Sequence, residues 1–354
     1  MVLWVFMTLG VLALDFAQYM RDDAMAALNV SEATSGYYLA VAGMNRALYE
    51  LMEAREAGEQ GGLLADEFFV APDDQDQLHE VNDFQPSIPA DGQWHDGTFG
   101  DGKYAVRIVD EAGRIAINAV PDNVVKRIVT NILLGGNATE GQSTKDVKEI
   151  QTIVDSILDW RDPDDLARLE GAEREYYESL RPPYGPKNGF FEFPDELAFV
   201  RGVTPELVHG TEFMPGLAAV ISVFGRDEGI NLRSITTPVL QVLLGSEREV
   251  AAEIMQVRID DPLNFTELVR TEVGTVDPEL ADLLVDEPAR VVRIDGRGDT
   301  SRDRNQARVS AVVDLEAELF EGPRVLRWLD DASMTYVYDE PSGMEDVEGQ
   351  EAGG

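Results

Sequence analysis

The chain opens on an apolar run: Val2 to Leu14 (VLWVFMTLGVLAL) carries no charge, is interrupted only by Thr8 and Gly10, and closes at Asp15. Its thirteen residues fall short of the about 20 that span a bilayer as a helix. No basic start or small-residue cleavage site flanks it, which argues against a secretory signal peptide. From Phe16 to about Ala57 there is neither Pro nor a turn cluster, and Tyr37, Val41, Met44, Leu48 and Leu51 or Met52 recur at three-to-four-residue spacing. That pattern predicts a helix that begins in a membrane and leaves it with one apolar face. Gly58, Gly61 and Gly62 are expected to stop it.

Residues 63–102 are rich in Asp, Pro, Gly and Gln, with scattered aromatics at Phe68, Phe69, Phe84 and Trp94, and read as an irregular connection. Tyr104–Val109 (YAVRIV) and Arg114–Asn118 (RIAIN) alternate apolar and polar residues around a Gly-containing turn, which predicts a β-hairpin. From Pro121 to about Asp286 the pattern is of short helices, several opening with Pro or an Asp, Ser or Thr cap. Strand patterns return at Ala289–Ile294, Ala307–Leu315 and Val325–Leu329, and the tail from Asp339 is acidic, Gly-rich and expected to be disordered.

Strands, then helices, then strands predict a helical domain inserted into a sheet that closes with the last strands. Two domains in series is the alternative. Insertion is preferred because two- and three-stranded pieces are marginal alone, whereas together they form a sheet that the long helix covers. The expected divisions are 1–57 (anchor and helix), 58–119 (connection and first strands), 120–287 (helical insert), 288–335 (closing strands) and 336–354 (tail). A weak repeat, Gly113 to Pro121 and Gly229 to Pro238, runs each time through Ile and Asn to a Pro that opens a helix. It suggests two similar helical subdomains, about 120–219 and 220–287.

Charge narrows the partners. Asp and Glu number 67 against 29 Lys and Arg, a formal net charge of -38, which repels phosphate backbones and argues against nucleic acid. Such a surface attracts hard divalent cations, although solubility or life in high salt explains most of these carboxylates equally well. With no cysteine, disulfides, thiolate zinc sites and cysteine nucleophiles are excluded.

The densest constellation is Asp159-Trp160-Arg161-Asp162-Pro163-Asp164-Asp165, followed by Glu170, Glu173 and Tyr176-Tyr177. Pro163 ends the helix expected over Val147–Trp160, so Asp162, Asp164 and Asp165 sit in a loop to which Glu173 can return. Calcium, which takes six to eight oxygens of mixed kinds, fits that arrangement. The spacing is not that of an EF-hand, and a solvated acidic loop with helix capping fits as well. His79, His95 and His209 make no metal-ligand pair at helical spacing, and no nucleophile-elbow, P-loop or zincin motif is present, so an enzyme is not expected. Arg297-Gly298-Asp299 reads as a hairpin turn between strands.

The apolar start, the following helix, the segment SILDWRDPDDLARLEGAEREYYESLRPPYGPKNGFFEFPDELAFVRGVTPEL (156–207) and VISVFGRDEGINLRSITTPVLQVLL (220–244) together resemble the general secretion pathway protein K family of type II secretion systems. The resemblance implies an α+β, pilin-like fold: a long N-terminal helix packed on an antiparallel sheet, with a large all-α domain inserted between strands. It implies a minor pseudopilin at the tip of the pseudopilus, initiating or capping assembly and aiding export across the outer membrane. Its expected partners are minor pseudopilins I and J, the inner membrane through the N-terminal helix, and secreted substrates. Its bulk is expected in the periplasm. Calcium is the implied cofactor, with Asp162, Asp164, Asp165 and Glu173 matching the family's acidic motif and Asp159 and Asn188 as further candidates. The family's basic leader, cleavage site and first mature residues have no counterpart here, since Met1 falls within the apolar helix, so a truncated start is expected. A membrane-anchored periplasmic binding module is the alternative function.

Overall fold

The computed structural model describes residues 2–67, 88, 90, 92–134, 144–211, 213–225, 229–246, 248–286, 289–299, 307–316 and 322–330. The tail from Asp339, His79, and the stretch holding Phe68, Phe69 and Phe84 lie outside the described residues. In chain order come α1 (Val2–Glu67), β1 (His95–Phe99), β2 (Gly102–Asp110), β3 (Ile115–Ala116), α2 (Asp122–Leu134) and α3 (Thr144–Arg161). These are followed by α4 (Arg174–Glu178), α5 (Pro205–His209), α6 (Leu217–Val220), β4 (Ile221–Ser222), β5 (Ile230–Asn231) and α7 (Thr237–Leu244). The series closes with α8 (Arg248–Asp260), α9 (Pro262–Val276), α10 (Pro278–Asp282), β6 (Leu284–Val285), β7 (Val291–Asp299), β8 (Ala307–Asp314) and β9 (Arg324–Leu329).

The fold is α+β, and its described residues divide into two compact units, one up to Val109 and again from Val292, the other Asp110–Val291. In the first, α1 packs on a five-stranded antiparallel sheet of order β1-β2-β7-β8-β9. The neighbours β2 and β7 come from either side of the whole helical unit, so the sheet is completed across the insertion. A buried ion pair marks that join. Arg107 on β2 donates from Nη2 to Oδ2 of Asp295 on β7 at 2.9 Å, and the Ser310 hydroxyl on β8 donates to Oδ1 at 2.6 Å. Burial alone would raise the Asp295 pKa, but the charges of Arg293 and Arg107 hold it below the usual carboxylate range.

The face that α1 buries shares only Met44 with the one its large apolar residues mark. Gly36, Ala40, Gly43, Met44 and Ala47 are buried, while Tyr37, Val41, Leu48, Leu51 and Met52 are half-exposed flanks. The cause lies on β7: a Cβ at Gly298 would overlap the Gly36 carbonyl, and one at Gly296 would meet the Ala40 carbonyl oxygen at 2.8 Å. Small residues on both elements let helix and strand approach backbone to backbone. The Arg297-Gly298-Asp299 stretch is therefore inside β7, not a turn.

Two further expectations are corrected. The hairpin is made by β1 and β2, with Phe99 opposite Gly102, whereas Ile115–Ala116 pairs in parallel with Ile221–Ser222. The Glu111–Gly113 turn is a 3-10 helix at the start of the helical unit. The first helix also passes through Gly58, Gly61 and Gly62 to Glu67, since three glycines weaken a helix without ending one already propagating. Among the described residues no helix is long and apolar enough to cross a membrane.

The second unit is helical around one core that includes Ile128, Ile153, Ile157, Leu217, Leu240 and Val269. The two stretches from Gly to Pro noted in the sequence each supply a two-residue strand and then a helix, β3 before α2 and β5 before α7. Each short strand has a parallel partner, β4 and β6 respectively. Strands of two residues leave no periodic pattern to read.

Candidate metal centre

The site lies in the helical unit, where α3 ends and α4 begins. Pro163 cannot continue the helix, and the Asp162 N–H makes the last bond of that turn, to the Leu158 carbonyl at 3.2 Å. Trp160 and Tyr177 pack edge to face with centroids 5.3 Å apart, which joins the end of α3 to α4 and draws the loop between them closed. Glu173 stands at the N-cap of α4 with extended backbone, yet its side chain makes no capping bond. It turns into the loop instead.

Asp162, Asp164 and Glu173 each place one carboxylate oxygen within 4.8 Å of the others. Ligand oxygens on opposite sides of a calcium ion are separated by about this much, since each lies 2.3–2.6 Å or so from the metal. The polar atoms here lack partners among the described residues: both Glu173 oxygens, Oδ1 of Asp162 and Oδ1 of Asn188 are buried and accept no hydrogen bond. Glu173 itself is only 6% exposed. Buried carboxylate oxygens without donors are costly unless a cation meets them. Burial, and then the charges of Asp159, Asp162, Asp165 and Asp164, push the Glu173 pKa up to about 7. The donor set of hard oxygens suits calcium and offers nothing to a thiophilic metal.

The remaining expected residues take other places. Asp159 is fully buried and bound to Arg168, whose Nη1 lies 2.8 Å from its Oδ1. Its carboxyl is raised by burial, and the Arg168 hydrogen bonds pull it back. Asp165 accepts from Asn188 Nδ2 at 2.9 Å and lies 3.4 Å from Arg174. Asn188, in the left-handed region at φ 47, also donates to the Asp164 carbonyl at 2.7 Å, so it braces the loop while leaving its own oxygen without a donor. Asp164 accepts from the Leu166 N–H at 2.8 Å.

Three contributors escaped the reading of the sequence. Arg168 is the basic residue among these acids, Gly171 lies so close to Asp159 that a Cβ would overlap its Oδ2, and buried Asp155 accepts from the Glu170 N–H at 3.1 Å. Arg168 had a signal, a lone cation between Asp165 and Glu170; Gly171 had none. The described histidines, His95 and His209, fall in different units and take no part.

Residues 141–213, which contain this whole site, match the family model "Type II secretion system (T2SS), protein K". A type II secretion system protein K of Aeromonas hydrophila is 44% identical over 64 residues, a stretch that spans 18% of this chain and 19% of the relative. The crystal structure of the GspK-GspI-GspJ complex from the enterotoxigenic Escherichia coli type 2 secretion system aligns with a TM-score of 0.56 at 15% identity, covering 87% of this chain and 98% of that one. These findings make the helical segment similar to protein K of type II secretion systems and define the fold as a long helix on an antiparallel sheet. The resemblance to protein K is borne out, by the family model and the relative for the helical segment and by the complex for the fold.

Proposed function

We propose that the chain is a minor pseudopilin at the tip of the pseudopilus, where it initiates or caps assembly and aids export across the outer membrane. The observation that carries this reading is a protein K segment, residues 141–213, inside a helical unit that interrupts a pilin-type sheet. A pilin-type subunit assembles by burying its apolar N-terminal helix against the helices of other subunits. Trp4, Phe6, Leu9, Leu12 and Phe16 are all more than half exposed on α1, which suits such a surface and the anchoring of the subunit in the inner membrane beforehand. A second folded unit inserted in the sheet adds bulk that a repeating filament subunit has no use for, which favours a subunit that ends a filament. The similar protein from Escherichia coli is in complex with GspI and GspJ, which supports minor pseudopilins I and J as partners here. Nothing in this role calls for catalysis.

The site at the end of α3 then serves structure, holding one calcium ion through Asp162, Asp164 and Glu173, with the Asn188 oxygen beside them. The ion would supply the positive charge that the orphaned oxygens lack and pin the loop between α3 and α4. Co-expression with pseudopilins I and J lacking their apolar starts should give a ternary complex. Its absence with calcium present would count decisively against the tip assignment. Chelation should lower the melting temperature, and Asp162→Ala with Asp164→Ala should abolish that effect; a melting curve indifferent to chelator removes the calcium assignment.

A further inference from the structure

Between Asp162 and Glu173 the chain has one basic side chain, Arg168. Its Nη1 donates to Oδ1 of Asp159 at 2.8 Å and to Oδ2 of Asp162 at 2.6 Å. Its backbone N–H is directed at the Asp159 carboxylate, 3.3 and 3.2 Å from the two oxygens. On its far side Nη2 stands 3.6 Å from Asp122 in the first turn of α2, and Asp122 also accepts from Arg161 at 2.9 Å. The guanidinium is thus held from three directions.

This has two effects on the acidic loop. Asp162 is gripped through Oδ2, so the oxygen it can offer an ion is Oδ1, which is buried and has no partner among the described residues. Asp159, with no exposed surface, would place a fourth negative charge behind the site, and the guanidinium cancels it. One terminal nitrogen meets both carboxylates while the other faces Asp122, a spread of contacts that the compact ammonium of a lysine does not reproduce.

We propose that Arg168 is the positioning residue of the ion site, a fixed internal cation that turns a single oxygen of Asp162 to the metal and neutralises Asp159 behind it. The inference rests on the calcium reading above and goes beyond it by assigning the side chain that sets the ligand geometry. Loss of such an outer partner weakens metal binding by about tenfold or more.

The test uses the full chain, titrated with calcium by calorimetry and with terbium(III), whose luminescence lifetimes in H2O and D2O count the waters on the ion. Arg168→Gln should bind calcium about tenfold more weakly than wild type, and Arg168→Lys should fall between the two. The terbium water count should change in Arg168→Gln, because Asp162 no longer presents one fixed oxygen. A purely structural role would lower the melting temperature of the ion-free protein but leave the affinity well below melting, and the water count, as in wild type. Wild-type protein that binds neither ion overturns the calcium reading and this inference with it. Wild-type protein that binds, with both variants within about twofold of it and with equal lifetimes, overturns the role of Arg168 alone. Should Arg168→Gln fail to fold, Arg168→Lys, which keeps the charge, decides the matter by the same two readouts.

Discussion

Gly298 on β7 lies against the carbonyl oxygen of Gly36 on α1, with no room between them for a methyl group. A backbone carbonyl cannot rotate away as a side chain does, so Gly298→Ala must push helix and strand apart. Overpacking of this kind costs about 2–3 kcal/mol, and a clear drop in the urea midpoint should be seen. Gly10, where a Cβ would meet nothing within 4 Å, provides the contrast. Gly10→Ala should leave stability unchanged or raise it slightly, since alanine is the better helix former.

The carboxyl of Glu173 predicts an unusual pH dependence. Burial first, and the neighbouring acids after it, push its pKa up to about 7 from an ordinary value of 4.5. Between those values the folded chain keeps a proton that the unfolded chain has released, so stability contributed by this group falls as pH rises through the window. Above about pH 7 the full cost is present, on the order of 1–3 kcal/mol once solvent screening is allowed for. In chelator, the melting temperature of wild type relative to Glu173→Gln should therefore decline from pH 5 to pH 8. Calcium should cancel the decline in wild type and do nothing for the variant, and parallel profiles of the two proteins in chelator would refute the assignment.

Asn118 ties three segments of the helical unit together. Its Nδ2 donates to the carbonyls of Phe191 and Val223, each at 2.9 Å, and its Oδ1 accepts from the Phe191 N–H at 2.8 Å. Asn118→Ala leaves two carbonyls and an N–H without these partners, a loss of about 2–3 kcal/mol in chemical unfolding. Phe191 lies three residues past Asn188, so the variant should also bind calcium more weakly; unchanged affinity would show that the segment is held by other contacts.

Much of this architecture was legible because it depends on patterns longer than the elements themselves. The apolar start, the proline-opened helices and the alternating strands at Ala307 and Val325 were read where they occur. What escaped depends on spatial neighbours. β1 carries Phe99 as its sole aliphatic or aromatic apolar side chain and so looks like loop, yet it is the partner of β2. The buried face of α1 was misjudged because glycine and alanine do not count as apolar anchors, although here their smallness is what the packing uses. At the acidic loop the residues were legible as a cluster after Pro163. Which oxygens are taken by Arg168 and which are left over follows only from the path of the chain between α3 and α4.

That path depends on Gly171. A Cβ there would overlap Oδ2 of Asp159 and stand 2.8 Å from its Cγ, while the Gly171 carbonyl accepts from Arg201 Nη1 at 2.9 Å and holds the backbone in place. With the backbone fixed, Gly171→Ala must displace the Asp159 carboxylate, and with it the guanidinium that grips Asp162. Calcium affinity should fall by about tenfold, as for loss of any group that orients a ligand. Gly185→Ala, where the added methyl meets nothing within 4 Å, should bind calcium as wild type does. Equal affinity in both variants would mean that Asp159 can move without disturbing Asp162, and that the two carboxylates are not linked through Arg168 in the way their hydrogen bonds imply.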